Sequence, residues 1–349
     1  MVRLAAALAG VLALSAVVLV APLAAPLLAQ SPAREIRYPA APTRIVVNTT
    51  AIDAFDLRDA SRVRFGALEF RGGIQMRSVH RAFGGISGIT MNPDGSSFVA
   101  ITDRGAWLTG KIEYRNGRPA GIAEAEIAPI LGADGKPLAA VGWFDAESIA
   151  RAGDTIYVGL ERVHRIVKFD FGRRGVAAHG EPVDVPPDFK TLGFNRSLEC
   201  LAALPAGQPQ GGGLIAVTES SLDASGNIRA FVLRGRDVIR FTVKRSDDFD
   251  VSDCALLSPS GLLLLERRFT RATGLAIRLR RIALSVIANG AVVDGPVLLT
   301  ADLGYQIDNL EGLAVHRNGQ GETILTMVSD DNFSPIQRNI LLQFALVEP

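Results

Sequence analysis

A short pattern recurs five times along this chain. Each copy has a polar or acidic residue, a small residue and an aliphatic residue, followed by a turn, an aliphatic run and a closing acid. The copies start at Ser87, Glu147, Glu199, Asp253 and Glu311 and close at Asp103, Glu161, Glu219, Glu266 and Asp330. A repeat of roughly 50 to 60 residues rich in hairpins is typical of circular or stacked β architectures. We predict an all-β propeller of four-stranded antiparallel blades, with five blades counted and room for a sixth in Arg44–Leu57.

Ring closure makes a second prediction about the termini. The last aliphatic run, Ile340–Leu346, has no outer partner within its own repeat. The segments Phe65–Phe70 and Ile74–Arg77, which precede the first repeat, have none either. Because unpaired sheet edges promote aggregation, propellers usually close by pairing both termini in one blade. We therefore expect one of these early segments to pair with the final strand.

The first residues differ in composition from the rest. One positive charge, Arg3, precedes an apolar run that ends near prolines and small residues, which is typical of a secretory signal peptide. We predict a signal peptide over 1–29, a linker over 30–42 and a single propeller domain over 43–349. The protein is then periplasmic or secreted, without stable membrane insertion after signal removal. An uncleaved anchor is the alternative, because the run is long enough to span a bilayer.

Charge and cysteine content limit the partners. A formal net charge of +1 over 349 residues leaves no basic field for nucleic acid. We expect a monomer acting on a small anionic or ester substrate.

The two cysteines, Cys200 and Cys254, occupy the small-residue position of the repeat, where Gly88, Ser148 and Gly312 stand elsewhere. This position favours packing over a disulfide, although an exported protein can pair them, and the sequence leaves the pairing open.

The recurrent acids predict a common site. In an antiparallel hairpin, the start of the first strand and the end of the second lie at the same rim, so acids from several blades should converge at one channel mouth. Clustered carboxylates raise each other's pKa and suit calcium or another divalent metal. We assign the metal to Asp103, Glu147, Glu199, Glu219, Glu266 and Glu311, and catalysis to Glu161 and Asp330. We assign substrate binding to Arg104, Arg162, Arg196 and Arg267. A purely structural reading, in which acid–arginine pairs link the blades, stays open.

Several of these segments resemble a known family. They are Phe83–Ile89, Thr102–Gly105, Asp145–Ile149, Leu160–Arg162, Leu265–Arg267, Asn309–Leu313 and Ser329–Phe333. Together they are similar to the bacterial phytase-like family, which is described by an "esterase-like activity of phytase" domain. The resemblance covers roughly Phe65 to Leu346. It implies a β-propeller whose recurrent acids hydrolyse phosphate esters.

Three functions are compatible with this pattern. The first is an exported, metal-dependent hydrolase of phosphoric esters. The second is a non-catalytic periplasmic propeller that binds a ligand or partner. The third is a calcium-dependent, lactonase-like hydrolase, for which Asn195, Asn309 and Asn332 would supply amide oxygens. His164 and His316 are minor candidates, since the histidines lack zinc spacing.

Overall fold

The structure is a computed structural model that describes residues 38–194, 196–205, 212–257 and 261–347. The aliphatic runs of the repeats form central strands of antiparallel sheets. The strands are β1 (Thr43–Arg44), β2 (Asn48–Ile52), β3 (Arg64–Phe65), β4 (Leu68–Arg77), β5 (Ile86–Met91), β6 (Ser97–Thr102), β7 (Ala106–Arg115), β8 (Arg118–Pro129), β9 (Ala146–Ala152), β10 (Thr155–Leu160), β11 (Arg165–Asp170), β12 (Glu181–Val183), β13 (Leu198–Ala203), β14 (Leu214–Leu222), β15 (Ile228–Arg234), β16 (Asp237–Val243), β17 (Asp250–Leu257), β18 (Gly261–Thr270), β19 (Gly274–Ala283), β20 (Val292–Val293), β21 (Val297–Asp302), β22 (Leu310–Arg317), β23 (Thr323–Ser329) and β24 (Asn339–Leu346). Helical segments are short: one α-helical turn, Phe171–Arg174, and 3-10 turns at Leu138–Val141, Gly175–Ala177, Pro187–Thr191 and Leu284–Val286.

These strands build a β-propeller of five blades, which confirms the predicted fold class. From the channel outwards, blade 1 holds β5, β6, β7, β8 and β1, and blade 2 holds β9 to β12. Blade 3 holds β13 to β16 with β20, and blade 4 holds β17, β18, β19 and β21. Blade 5 holds β22, β23, β24, β4 and β2. The innermost strands β5, β9, β13, β17 and β22 contact one another in this order around the ring.

Both chain ends contribute to blade 5, as predicted. Strand β4 pairs antiparallel with β24, so that Leu68 lies opposite Leu346 and Met76 opposite Asn339. The segment Arg44–Leu57 forms no sixth blade, because β1 is the outer strand of blade 1 and β2 the outer strand of blade 5. Apolar side chains fill the space between neighbouring sheets, and Phe55, which is buried, packs edge-on against Phe344 at the closure.

A β-bulge near the start of each innermost strand orients the leading residue of the repeat. In blades 1, 2, 3 and 5 the unpaired residue is that leading residue, namely Ser87, Glu147, Glu199 and Glu311. In blade 4 the bulge lies one residue earlier, at Ser252, and Asp253 pairs in register with Leu265. Because side chains alternate between faces along a strand, this shift turns Asp253 away from the direction taken by the other leading acids.

The innermost strands approach closely enough for a disulfide. Cys200 of β13 is bonded to Cys254 of β17, and their Cα atoms are 5.2 Å apart. The sequence favoured packing at this position and left the pairing open; the structure contains the disulfide. Adjacent blades lie close together at the small-residue position; a Cβ placed on Gly88 would lie 3.0 Å from the side chain of Ile149 in the next blade. That proximity brings the two thiols within bonding geometry.

The two mouths of the channel differ. The mouth opposite the acids opens into a cavity of about 460 Å³ that is lined by all five innermost strands. Met91, Leu257 and Val315 are among its lining residues. Among the described residues, no helix is long and apolar enough to cross a membrane. The predicted signal peptide over 1–29 lies outside the described residues, as do most of the predicted linker over 30–42 and Asn195.

Candidate active site

Three glutamates from blades 2 and 3 meet at the acidic mouth of the channel. Glu161 follows β10, Glu199 is the bulge residue of β13, and Glu219 lies in β14. One carboxylate oxygen from each lies within 4.8 Å of the others. Glu161 and Glu199 are buried. Carboxylates this close repel each other when ionised, and a cation bound between them would relieve that repulsion. The three oxygens therefore form a set of hard ligands.

Arg267 of β18 lies beside this group of glutamates and connects it to blade 5. Its guanidinium donates to Glu311 at 2.7 Å, to Glu219 at 3.2 Å and to the side-chain oxygen of Asn309. Asn309 in turn donates to Glu311 at 2.8 Å. Burial alone would lower the pKa of Arg267, but Glu311, Glu199 and Glu219 raise it overall. Arg267 therefore stays cationic and offsets part of the surrounding negative charge.

A second group of carboxylates lies on the side of the mouth formed by blades 1, 2 and 5. Asp103 and Asp330 occupy the closing position of their repeats, and Asp145 and Glu147 flank the start of β9. The backbone joins them, since Asp145 donates its N–H to the carbonyl of Asp103 at 2.7 Å. The Oδ1 atom of Asp103 is buried and has no hydrogen-bond partner among the described residues. An unpaired buried carboxylate oxygen is costly and suggests that a proton, a cation or a ligand completes the site.

Two consecutive glycines allow the chain to approach this second group. Gly84 and Gly85 have positive φ angles of 125° and 63°. A Cβ on Gly85 would lie 2.1 Å from Oδ1 of Asp103, so a side chain cannot occupy this position without displacing the carboxylate. The N–H of Gly85 donates to Asp331 at 3.0 Å. Only glycine accepts both this conformation and this close contact.

The electrostatics of the mouth reflect burial first and mutual repulsion second. Burial raises the pKa of Asp103 and that of Glu161 to about 7 each. Burial and the charges of Glu161 and Glu219 hold the pKa of Glu199 well above its usual value. Burial together with Glu199 and Glu311 does the same for the pKa of Glu147. The pKa of Asp330 is also well above its usual value, because of burial and the charge of Glu311.

Ion pairs with arginine lower the pKa of two of these carboxyl groups by less than burial raises it. Burial raises the pKa of Asp145 although Arg162 donates to its carboxylate at 2.7 Å. Burial also raises the pKa of Glu219 against the attraction of Arg267. Around neutral pH the mouth therefore holds more carboxyl groups than its cations can keep ionised.

Two acids of blade 4 do not join the mouth, namely Glu266, which was assigned to the metal, and Asp253, the leading acid of the fourth repeat. Glu266 is fully buried and forms ion pairs with Arg278 at 2.8 Å and Arg280 at 2.5 Å. Asp253, whose side chain is buried, accepts hydrogen bonds from the backbone N–H groups of Cys254 at 2.7 Å and Leu313 at 2.6 Å. Both belong to blade 4, where the bulge is displaced by one residue. The structure thus places Glu266 among structural ion pairs, apart from the other acids assigned to the metal.

The predicted substrate-binding arginines differ in their surroundings. Arg162 pairs with Asp145 and lies over the ring of Phe144, with 42% of its side chain exposed. Arg104 stacks on the ring of Phe333. Arg267 lies within the group of glutamates described above, and Arg196 is exposed on the surface. Arg104, Arg162 and Arg267 therefore remain close to the predicted acids in the fold.

The sequence did not indicate a serine that supports the site. The N–H of Ser197 donates to Glu161 at 2.9 Å, and its hydroxyl lies 2.9 Å from Nδ1 of His164. Ser197 stands two residues before the leading acid of the third repeat, the position that Asp145 and Asn309 fill in the second and fifth repeats, and this recurrence is the signal that could have identified it. His316 lies at the opposite mouth, where it lines the apolar cavity.

The chain belongs to the phytase-like family. The family model described as "Esterase-like activity of phytase" matches residues 81–333. This stretch includes every recurrent acid of the acidic mouth, and it supports a hydrolase-like propeller. No curated protein matches the chain.

The chain is only distantly similar to solved structures. U3-55K has 12% identity and a TM-score of 0.41, with 78% of this chain and 98% of that chain covered. The RRP9 WD40 repeats have 11% identity and a TM-score of 0.41, covering 81% and 100%. Glutaminyl cyclase from Myxococcus xanthus has 11% identity and a TM-score of 0.42, covering 80% and 97%. At these values the structures do not inform function.

Proposed function

We propose that this protein is an exported, metal-dependent hydrolase of phosphoric esters. The observation that carries the proposal is the convergence of Glu161, Glu199 and Glu219 within 4.8 Å at a mouth where buried carboxyl groups outnumber the cations. An all-oxygen donor set with several negative charges fits calcium or magnesium better than a softer metal. The unpaired Oδ1 of Asp103 agrees with a site that is completed by a bound group.

The residues divide into three roles. Glu161, Glu199 and Glu219 would hold the cation, so Glu161 moves from the catalytic role predicted from sequence to a ligand role. The cation would supply positive charge against the phosphoryl oxygens and make water more acidic. Arg267, already cationic beside the ligands, would bind a further phosphoryl oxygen. Asp103, whose Oδ1 has no hydrogen-bond partner among the described residues, would accept the proton of the attacking water. The carboxyl group of Asp330 is close enough to interact electrostatically with that of Asp103.

Export is supported by the covalent structure. The Cys200–Cys254 disulfide joins two neighbouring blades. Disulfides persist mainly in oxidising compartments such as the bacterial periplasm or the extracellular space. The apolar run at 1–29 has the composition of an export signal. Mass determination of the N-terminus after expression with a secretion system should show cleavage after Ala29.

One experiment separates this function from a non-catalytic binding role. The purified mature protein, stripped with a chelator and then supplied with calcium or magnesium, should hydrolyse bis-p-nitrophenyl phosphate, and chelation should abolish turnover. Calorimetry of the stripped protein should show binding of the same cation. No turnover across a panel of phosphate esters with metal supplied would contradict the proposal, and metal binding without turnover would favour the binding role.

A further inference from the structure

A large cavity adjoins the acidic mouth above blade 4. It measures about 1090 Å³, and its inner end is formed by Glu219, Arg267, Asn309 and Asn332. Three of these residues also belong to the proposed reaction centre: Glu219 is a proposed metal ligand, and Arg267 and Asn309 both form hydrogen bonds with Glu311. The cavity is therefore continuous with the proposed reaction centre, and it is the size of a pocket for a small organic molecule.

Charge along the cavity wall is balanced by internal ion pairs. Arg245 pairs with Asp248 at 3.0 Å and with Asp250 at 2.7 Å, and Arg338 pairs with Asp308 at 3.2 Å. The lining holds four arginines and four carboxylates. Beyond Arg267 and Glu219 the wall holds three arginines, one of them Arg268, and three aspartates, so it offers no excess positive charge for a substrate bearing many phosphates.

The outer part of the same cavity is apolar and exposed. Phe269, Leu303 and Ile336 line it, with 72%, 58% and 88% of their surface exposed. The partly buried Leu275, which lies opposite Phe269 in the sheet, and the buried Ile307 also line the cavity. Exposed apolar side chains are ordinary when scattered singly, whereas a group that lines one pocket beside a polar centre indicates a ligand with an apolar part.

We infer that this cavity is an apolar leaving-group subsite, and that the substrate is a phosphate ester of an aryl or similarly apolar alcohol. The inference rests on the proposed hydrolase function and narrows its substrate class. The phosphoryl group would lie against Arg267 and the glutamates, while the apolar group would lie on Phe269, Leu303 and Leu275. A highly phosphorylated polyol has no apolar part to fill this region.

The test compares two monoesters that share the phosphoryl group and differ in the alcohol. In the metal-loaded protein, Phe269→Ala with Leu303→Ala should raise KM for 1-naphthyl phosphate about tenfold, the loss expected from exposing part of an aromatic contact. KM for glycerol 1-phosphate should change less than about twofold, since glycerol makes no apolar contact to lose. Both side chains are largely exposed, so the variant should fold. Val46→Ala, at an equally exposed apolar residue between β1 and β2, should leave both KM values unchanged.

A binding measurement keeps this inference separate from the hydrolase proposal. Calorimetry with the non-hydrolysable 1-naphthyl phosphonate should show about tenfold weaker binding to the double variant. If the wild-type protein turns over neither ester while the phosphonate still discriminates between wild type and variant, the hydrolase proposal fails and the apolar subsite stands. Equal effects of the double substitution on both esters, or an unchanged Kd for the phosphonate, would overturn the subsite.

Discussion

Blades 3 and 4 carry acids at equivalent repeat positions, yet these acids have different surroundings. Glu219 closes the third repeat and lies near Glu161 and Glu199, with Arg267 as a partly exposed partner. Glu266 closes the fourth repeat and lies between Arg278 and Arg280, both buried. The first carboxylate is part of a group with too little positive charge, whereas the second is fully compensated by its own blade.

The difference shows how one repeat can supply either chemistry or structure. A carboxylate that is short of partners can bind a cation, while a carboxylate held by two guanidinium groups has no free oxygen to offer. The displaced bulge of blade 4 explains the divergence of the leading acid, because it places Asp253 against the backbone of blade 5. We therefore regard the two acids of blade 4, Asp253 and Glu266, as structural, although Arg267 of the same blade belongs to the site, and substitutions can test this assignment.

The largest effect should come from breaking the buried ion pairs of blade 4. Glu266→Gln leaves Arg278 and Arg280 without their shared carboxylate, and loss of one partner of a buried pair costs about 3–5 kcal/mol. Urea denaturation should show this loss in the free energy of unfolding. Turnover per folded molecule should match the wild type. A stable but inactive Glu266→Gln protein would place this carboxylate in the site after all.

The next effect should appear in activity rather than stability. Glu199→Gln removes a proposed ligand and should lower kcat/KM at least about 100-fold, as for loss of a central electrostatic group. Its metal-free stability should equal or exceed that of the wild type, because a repelling carboxylate is gone. Steady-state kinetics and thermal unfolding of the same preparation measure both. Full activity in Glu199→Gln would remove this residue from the site.

The effect of added metal on thermal stability should differ between variants of blade 3 and blade 4. A cation at 100 times its Kd stabilises the folded state by about 2.7 kcal/mol. We expect calcium or magnesium to raise the Tm of wild-type protein and of Glu266→Gln, and to leave the Tm of Glu199→Gln nearly unchanged. Differential scanning calorimetry with and without chelator gives the comparison. An equal rise in all three proteins would locate the cation elsewhere.

The smallest effect should be a pH dependence in blade 4. Burial holds the pKa of Asp253 well above its ordinary value of 3.8, so the folded state binds this proton more tightly than the unfolded state. Its stabilising contribution is complete below about pH 4 and declines as the pH rises through the folded-state pKa. In Asp253→Asn this titration is absent. The stability of the wild type relative to the variant, measured by denaturation between pH 4 and 8, should therefore fall as pH rises; a constant difference would contradict the shift.

The fold could be predicted because its cause is local and repeated. Aliphatic runs separated by turn residues specify paired strands, and five copies specify five blades. The pairing of β4 with β24 followed from two segments that lacked partners. Hairpin geometry predicted that acids from several blades share one rim, and Glu161, Glu199 and Glu219 meet there.

Other features could not be predicted because they depend on a single residue of register or on distances between blades. The sequence pattern aligns Asp253 with Glu199, but the bulge at Ser252 separates their directions. Likewise, the spacing of Cys200 and Cys254 along the chain says nothing of their 5.2 Å Cα separation.

The amino-acid sequence by itself determined the propeller, its five blades, its closure and the rim at which the acids emerge, because strand periodicity and hairpin direction are local properties. Only the tertiary structure decided which acids remain uncompensated, since Arg267, Arg278 and Arg280 reach their partners through side-chain packing across strands and blades. Charge compensation depends on distances of a few ångströms between groups far apart in the chain, and these distances exist only once the ring has closed.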